Sequence, residues 1–124
     1  MTDKLIDKLT YTGKRLVKRT DWSLQGLKYA WRSEHSFRTW VWANLVSAGL
    51  VLVLDLSPGE RGLILALGLL ILAAELLNTA IEDAVDYISD KDHPLAKSAK
   101  DAGSAAVTVT AIAAGVAWLV ILIG

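Results

Sequence analysis

Charged residues recur every few positions from Asp3 to Arg38, then almost vanish from three long apolar stretches that two short polar segments separate. In the first segment Leu24, Leu27 and Trp31 fall at helical spacing, with Lys18, Gln25, Lys28 and Arg32 on other faces. This pattern predicts an amphipathic surface helix over about 3–32, with Trp22, Tyr29 and Trp31 suited to a membrane interface. Gly13 and Gly26 are its expected break points. The apolar stretches predict membrane-crossing helices at about 35–55, 62–88 and 99–123. The core of the first, WVWANLVSAGLVLVL, reaches only ~22 Å at the helical rise, so that helix has to extend back toward Ser33 to span a ~30 Å hydrocarbon layer. Asp55, Ser57, Pro58 and Gly59 form a turn before the second helix, and Pro94 opens the segment that leads into the third. Ala99/Gly103 and Ala111/Gly115 lie four apart in the third helix, the spacing at which small residues let membrane helices pack closely.

A hydrophobic fraction of 53% and a mean hydropathy of +0.40 place the 124-residue chain among membrane proteins and against a soluble enzyme. Its length suits one domain, 1–124. Net charge is zero, but its distribution is uneven: nine of the thirteen basic residues precede the first apolar run, Arg61 alone lies between the first and second, and Lys91, Lys97 and Lys100 lie between the second and third. The positive-inside rule then makes the N-terminus and the 89–101 connection cytoplasmic and places the 55–61 turn and the C-terminus on the opposite side. The first apolar run starts near residue 40 with flanks unlike those of a cleaved leader, so no signal peptide is expected. The absence of cysteine excludes disulfides and thiolate chemistry.

The second apolar run carries Glu75, Asn78 and Glu82 along one side. At ~100° per residue Glu82 and Asp86 each lie within ~20° of Glu75, and Asn78 lies ~60° away. Ionisable groups inside membrane helices cost ~2.5–3.5 kcal/mol on insertion scales, and they mark chemistry or transport more often than they pin helix register. Glu75 and Glu82 stand ~10.5 Å apart along the helix, too far to share one ion but spanned by an extended ligand such as a polyphosphate. Glu34, in WRSEHSFR, falls at the depth of Glu82. It is either a solvated interfacial carboxylate or the second half of a Mg²⁺ site, since Mg²⁺ favours one or two carboxylates completed by phosphate oxygens and water. Lys100 either snorkels to the headgroups or joins Arg15 and Lys18 in holding phosphates. No zinc spacing and no phosphate-cradling Gly-rich loop is present.

The segments GLKYAWRSEHSFR, ELLNTAIEDAVD and HPLAKSAKDAGSAAV, in that order over roughly residues 15–120, resemble the bacterial integral-membrane diacylglycerol kinase family. The resemblance implies an all-α membrane protein of one surface helix and three membrane helices. It also implies a homotrimer with active sites shared between neighbours, in the inner membrane, that transfers the ATP γ-phosphate to diacylglycerol and yields phosphatidic acid. By position in the motifs, Glu75 corresponds to the general base for the lipid hydroxyl and Asn78 to an essential amide. Glu34 and Glu82 correspond to the metal carboxylates, with Mg²⁺ as the implied ion. Arg15, Trp22, Lys100 and Asp101 correspond to nucleotide contacts, the stretch Lys91, Asp92 and His93 to the loop near the adenosine, and Ser104, with Arg15, to lipid contacts. Some members carry a further carboxylate where this chain has Trp40.

A related Gram-positive branch, similar in ELxNTAIE and HPLAK, phosphorylates undecaprenol; the GSAAV stretch resembles the diacylglycerol branch. From other classes, a proton-coupled transporter would also use one membrane Glu, without a metal site. A purely structural membrane oligomer would need Glu75 for assembly alone.

Overall fold

The computed structural model describes residues 1–124 as four helices without strands: α1 (Thr2–Ser33), α2 (His35–Val53), α3 (Pro58–Ile88) and α4 (Pro94–Ile123). The last three are long and apolar enough to cross a membrane.

α1 runs unbroken through Gly13 and Gly26, contrary to the expectation of breaks there. Neither glycine adopts a positive φ, and a glycine within a helix costs only about 1 kcal/mol. Surrounding Leu, Lys and Arg favour the helix and outweigh two such penalties. Several of its hydroxyl side chains are satisfied within the helix: Thr12, Thr20 and Ser23 each donate to the carbonyl four residues back at 2.9 Å.

One extended residue, Glu34 (φ −113°, ψ 108°), separates α1 from α2. The elbow is held by Arg38, whose guanidinium donates to the Trp31 and Arg32 carbonyls at 2.6 and 3.3 Å. Those are carbonyls that the end of α1 would otherwise leave without a partner. Trp31 and Trp42 pack across the same elbow with ring centroids 6.3 Å apart.

α3 starts at Pro58, four residues before the Gly62 suggested by the apolar pattern. Ser57 and Glu60 form a capping box: Ser57 Oγ accepts from the Glu60 N–H at 3.2 Å, and the Glu60 carboxylate accepts from the Ser57 N–H at 2.8 Å. Pro58, lacking an N–H, fits the first helical position. α4 likewise begins at Pro94, ahead of 99, with His93 as its cap: Nδ1 accepts from the Leu95 N–H at 3.0 Å.

α3 is the central element. Its buried residues Ile64, Gly68, Ile71, Glu75 and Thr79 recur every three or four positions and so form one face. α2 crosses this face at Gly68, where a Cβ would overlap the Asn44 amide and approach Asn44 Cγ to 3.1 Å. α4 lies along α3 and buries Gly103, Val107 and Ala117. Trp118 Nε1 ties α4 to α2 by donating to Ser47 Oγ at 2.9 Å. Of the two small-residue pairs in α4, Gly103 is packed tightly whereas a Cβ at Gly115 would meet open space. Only 11 of the 124 residues are buried. Leu52, Leu69, Leu77, Val109 and Leu122 are among the many exposed apolar side chains, so these faces require lipid or further protein to cover them.

Candidate active site

The α1–α2 elbow and the α3–α4 connection lie at the same end of the bundle, and Glu75, Asn78, Glu82 and Asp86 fall in the half of α3 nearer that end. Glu75 is 5% exposed, embedded in the buried stripe with Ile71 and Thr79. The Trp40 side chain neighbours its carboxyl, and the charges of Glu34 and Glu82 lie within electrostatic reach. Two turns on, half-buried Glu82 accepts from Asn78 Nδ2 at 3.3 Å. The other amide atom, Asn78 Oδ1, is buried without a hydrogen-bonding partner.

Glu82 also reaches electrostatically to Lys100, whose ammonium pairs with Asp86 at 2.6 Å. Asp86, Lys91, Asp92, His93, Lys97 and Lys100 are among the residues lining a cavity of about 580 Å³ between α3, its loop and α4. Lys91, Asp92, His93 and Lys100 therefore share one cavity. Asp101 pairs with Lys97 at 2.5 Å, and the His93 ring is engaged as the α4 cap. Ser104 is exposed, one residue beyond buried Gly103.

A single chain does not bring Arg15 to this place. Arg15 lies nineteen residues before Glu34 in one continuous helix, ~28 Å along its axis, and Trp22 lies ~18 Å away by the same rise. The Arg15 guanidinium instead sits 5.7 Å from the Tyr11 ring centroid, while Trp22 is exposed. The only part of α1 seated on α3 is near its end. Buried Ala30, with Ser23, Gly26 and Leu27, faces Leu76, Thr79 and Ala80 across a groove of about 480 Å³. Tyr29 and Asp83 stand at this groove, and the Asp83 carboxylate near the hydroxyl holds the Tyr29 pKa above its ordinary value.

No cluster of three or more His, Cys, Asp and Glu capable of holding a metal occurs. The available donors are two hard carboxylates, Glu34 and Glu82, both half-buried. That set fits a cation taking its remaining ligands from phosphate and water, as Mg²⁺ does. It does not fit an all-protein cage. Spacing along the sequence did not disclose Trp40 beside Glu75, Arg38 at the elbow, or the partner of Lys100. Asp86 alone carried a signal, since it shares the stripe of Glu75 and Glu82.

Comparison with known proteins points the same way. The family model for prokaryotic diacylglycerol kinase matches residues 21–122. Among curated relatives, a diacylglycerol kinase from Pseudomonas aeruginosa is 47% identical over 111 residues, covering 90% of both chains. One from Escherichia coli K12 is 37% identical over 108 residues, covering 87% of this chain and 88% of its own length. One from Helicobacter pylori is 40% identical over 105 residues, at 85% and 82% coverage.

Proposed function

Because the chain belongs to the prokaryotic diacylglycerol kinase family, we propose that this lipid kinase transfers the γ-phosphate of MgATP to 1,2-diacylglycerol and releases phosphatidic acid. The observation that carries the proposal is a carboxylate, Glu75, buried in a helix long and apolar enough to cross a membrane and within electrostatic reach of two further carboxylates, at the end of the bundle where lysines and aspartates line one cavity.

In the reaction the lipid hydroxyl oxygen forms a bond to the γ-phosphorus as the bond from that phosphorus to the ADP oxygen breaks, and the hydroxyl proton passes to Glu75 Oε. Burial withholds water from Glu75 and leaves it free for this proton. Asn78 holds Glu82 in place through its amide. Glu34 and Glu82 are the residues that would hold Mg²⁺; when bound, the ion neutralises phosphate charge, the main task of a phosphoryl-transfer site. Lys100 adds a fixed positive charge beside the phosphates. Lys91, Asp92 and His93, at the cavity rim, receive the adenosine, and Asp101 beside Lys97 borders the same nucleotide. Ser104, on the exposed face of α4, contacts the lipid.

Arg15 and Trp22 act from a neighbouring copy. The ~28 Å separation of Arg15 from Glu34 along α1 and the uncovered apolar faces support an assembly of copies, a homotrimer by the family resemblance, in which each α1 serves another subunit's site. The charge distribution supports an inner-membrane placement with the elbow and the α3–α4 connection in the cytoplasm, where ATP enters from water while acyl chains remain in lipid.

The test is transfer of the ATP γ-phosphate to lipid by purified protein in mixed micelles, with diacylglycerol (product phosphatidic acid) and undecaprenol (product undecaprenyl phosphate) compared side by side. Turnover on diacylglycerol well above that on undecaprenol is expected. Turnover on undecaprenol alone would reassign the acceptor, and none on either would refute the proposal.

A further inference from the structure

Asn78 presents its two amide atoms to two different helices. Nδ2 donates to Glu82 Oε1 on its own helix at 3.3 Å. Oδ1 points across to α4 and finds no N–H or O–H donor although it is buried. Turning the amide over would set Oδ1 against the Glu82 carboxylate and lose the donor, so Glu82 selects the orientation present. A buried acceptor without a donor is unfavourable, and something on α4 has to admit it.

That something is Gly103. A Cβ built on Gly103 would lie 2.5 Å from Asn78 Oδ1, 3.5 Å from Asn78 Cγ and 3.5 Å from Ile81 Cδ1. In glycine a hydrogen takes that direction, and a Cα–H facing a carbonyl oxygen is a weak attraction in place of a clash. Gly103 is itself buried at the α3–α4 contact. A methyl group there has no free way out, because the amide stands on one side and Ile81 on another. Either the amide rotates and takes Nδ2 away from Glu82, or the helices separate.

We infer that Gly103 is a positioning residue for Glu82: by lacking a side chain it seats the Asn78 carbonyl in the α3–α4 seam and so aims the amide N–H at the carboxylate. The inference rests on the proposed metal role of Glu82. It differs from the plain packing role suggested by small-residue spacing, because Gly115, in the same helix and at the same kind of spacing, faces open space.

The experiment compares Gly103→Ala, Gly115→Ala and wild type, each purified in detergent. Mn²⁺ binding in the presence of a non-hydrolysable ATP analogue is measured by electron paramagnetic resonance, and the Asn78 side-chain amide signals are followed by nitrogen-15 NMR. Gly103→Ala is expected to weaken Mn²⁺ binding at least about tenfold, the usual loss when a group supporting a metal ligand is disturbed. It also moves the Asn78 amide signals in the way Glu82→Gln does. Gly115→Ala leaves both readouts as in wild type, and Gly103→Ala adds nothing further in an Asn78→Ala background. Unchanged Mn²⁺ affinity and unchanged amide signals in a folded Gly103→Ala protein would overturn the inference.

If Gly103→Ala does not fold, Gly103→Ala with Asn78→Ser restores folding where the collision is with the amide; failure of that rescue also overturns it. A wild-type protein that binds Mn²⁺ with nucleotide, loses it on Gly103→Ala, yet phosphorylates no lipid would uphold this inference and refute the kinase proposal instead.

Discussion

Replacing Asn78 by alanine separates catalytic support from stability. Glu82 loses a donor at 3.3 Å. Hydrogen bonds to charged groups contribute about 1.5–3 kcal/mol, and the lower figure applies here because the distance lies beyond the usual N–H···O range and the pair is only half-buried. A loss of about 1.5 kcal/mol corresponds to roughly a tenfold rise in the Mg²⁺ concentration that half-saturates turnover. Removing Oδ1 also relieves a buried acceptor without a donor, a burden on the order of 1–3 kcal/mol. Against that stands the small void left by the amide, a cost of the same order. The two offset, and the melting temperature should move by no more than a few degrees. The assay is a Mg²⁺ titration of phosphatidic acid formation at saturating ATP and lipid, run beside thermal unfolding in the same detergent. A Mg²⁺ curve superimposed on that of wild type would refute the reasoning. So would a collapse in melting temperature with no activity at any Mg²⁺ concentration, which would make Asn78 a structural residue.

Three further substitutions probe the frame around that amide. Gly68→Ala drives a methyl into the Asn44 amide where α2 crosses α3, and should destabilise by about 1–3 kcal/mol, the range for overpacking; an unchanged unfolding midpoint would contradict the crossing. Arg38→Ala releases the carbonyls at the end of α1 and loosens the elbow that carries Glu34, so amide hydrogen exchange should speed up around residues 31–37 while α4 stays protected. Glu82→Gln should raise the half-saturating Mg²⁺ concentration far more than it changes the KM for lipid, and equal effects on both would remove Glu82 from the metal site.

The sequence exposes these elements unevenly, for physical reasons. The three apolar helices are legible because a membrane-crossing helix needs length and continuous apolarity, which any stretch of the chain displays by itself. Helix starts are harder to read: Ser57, Pro58 and Glu60 suit a turn as well as a capped first turn, and only the reciprocal hydrogen bonds decide. Glu75, Asn78 and Glu82 declare themselves because polar groups in such a helix are costly. Gly103 and Trp40 do not, since their importance lies in which residue of another helix they meet. Arg38 is equally silent, its role depending on the backbone bend at Glu34. Arg15 and Trp22 are assigned through motif position alone, and in one unbroken α1 Arg15 stands ~28 Å along the axis from Glu34.

The most direct measurement is the rate of phosphatidic acid formation by wild type and Glu75→Gln at saturating MgATP and diacylglycerol, each protein first shown to fold and assemble alike. A general base contributes about 10²–10⁴-fold, so the variant should be slower by at least about a hundredfold with little change in KM for ATP. A Glu75→Gln enzyme that phosphorylates diacylglycerol within a few-fold of wild type would contradict the claim that this buried carboxylate takes the proton of the lipid hydroxyl.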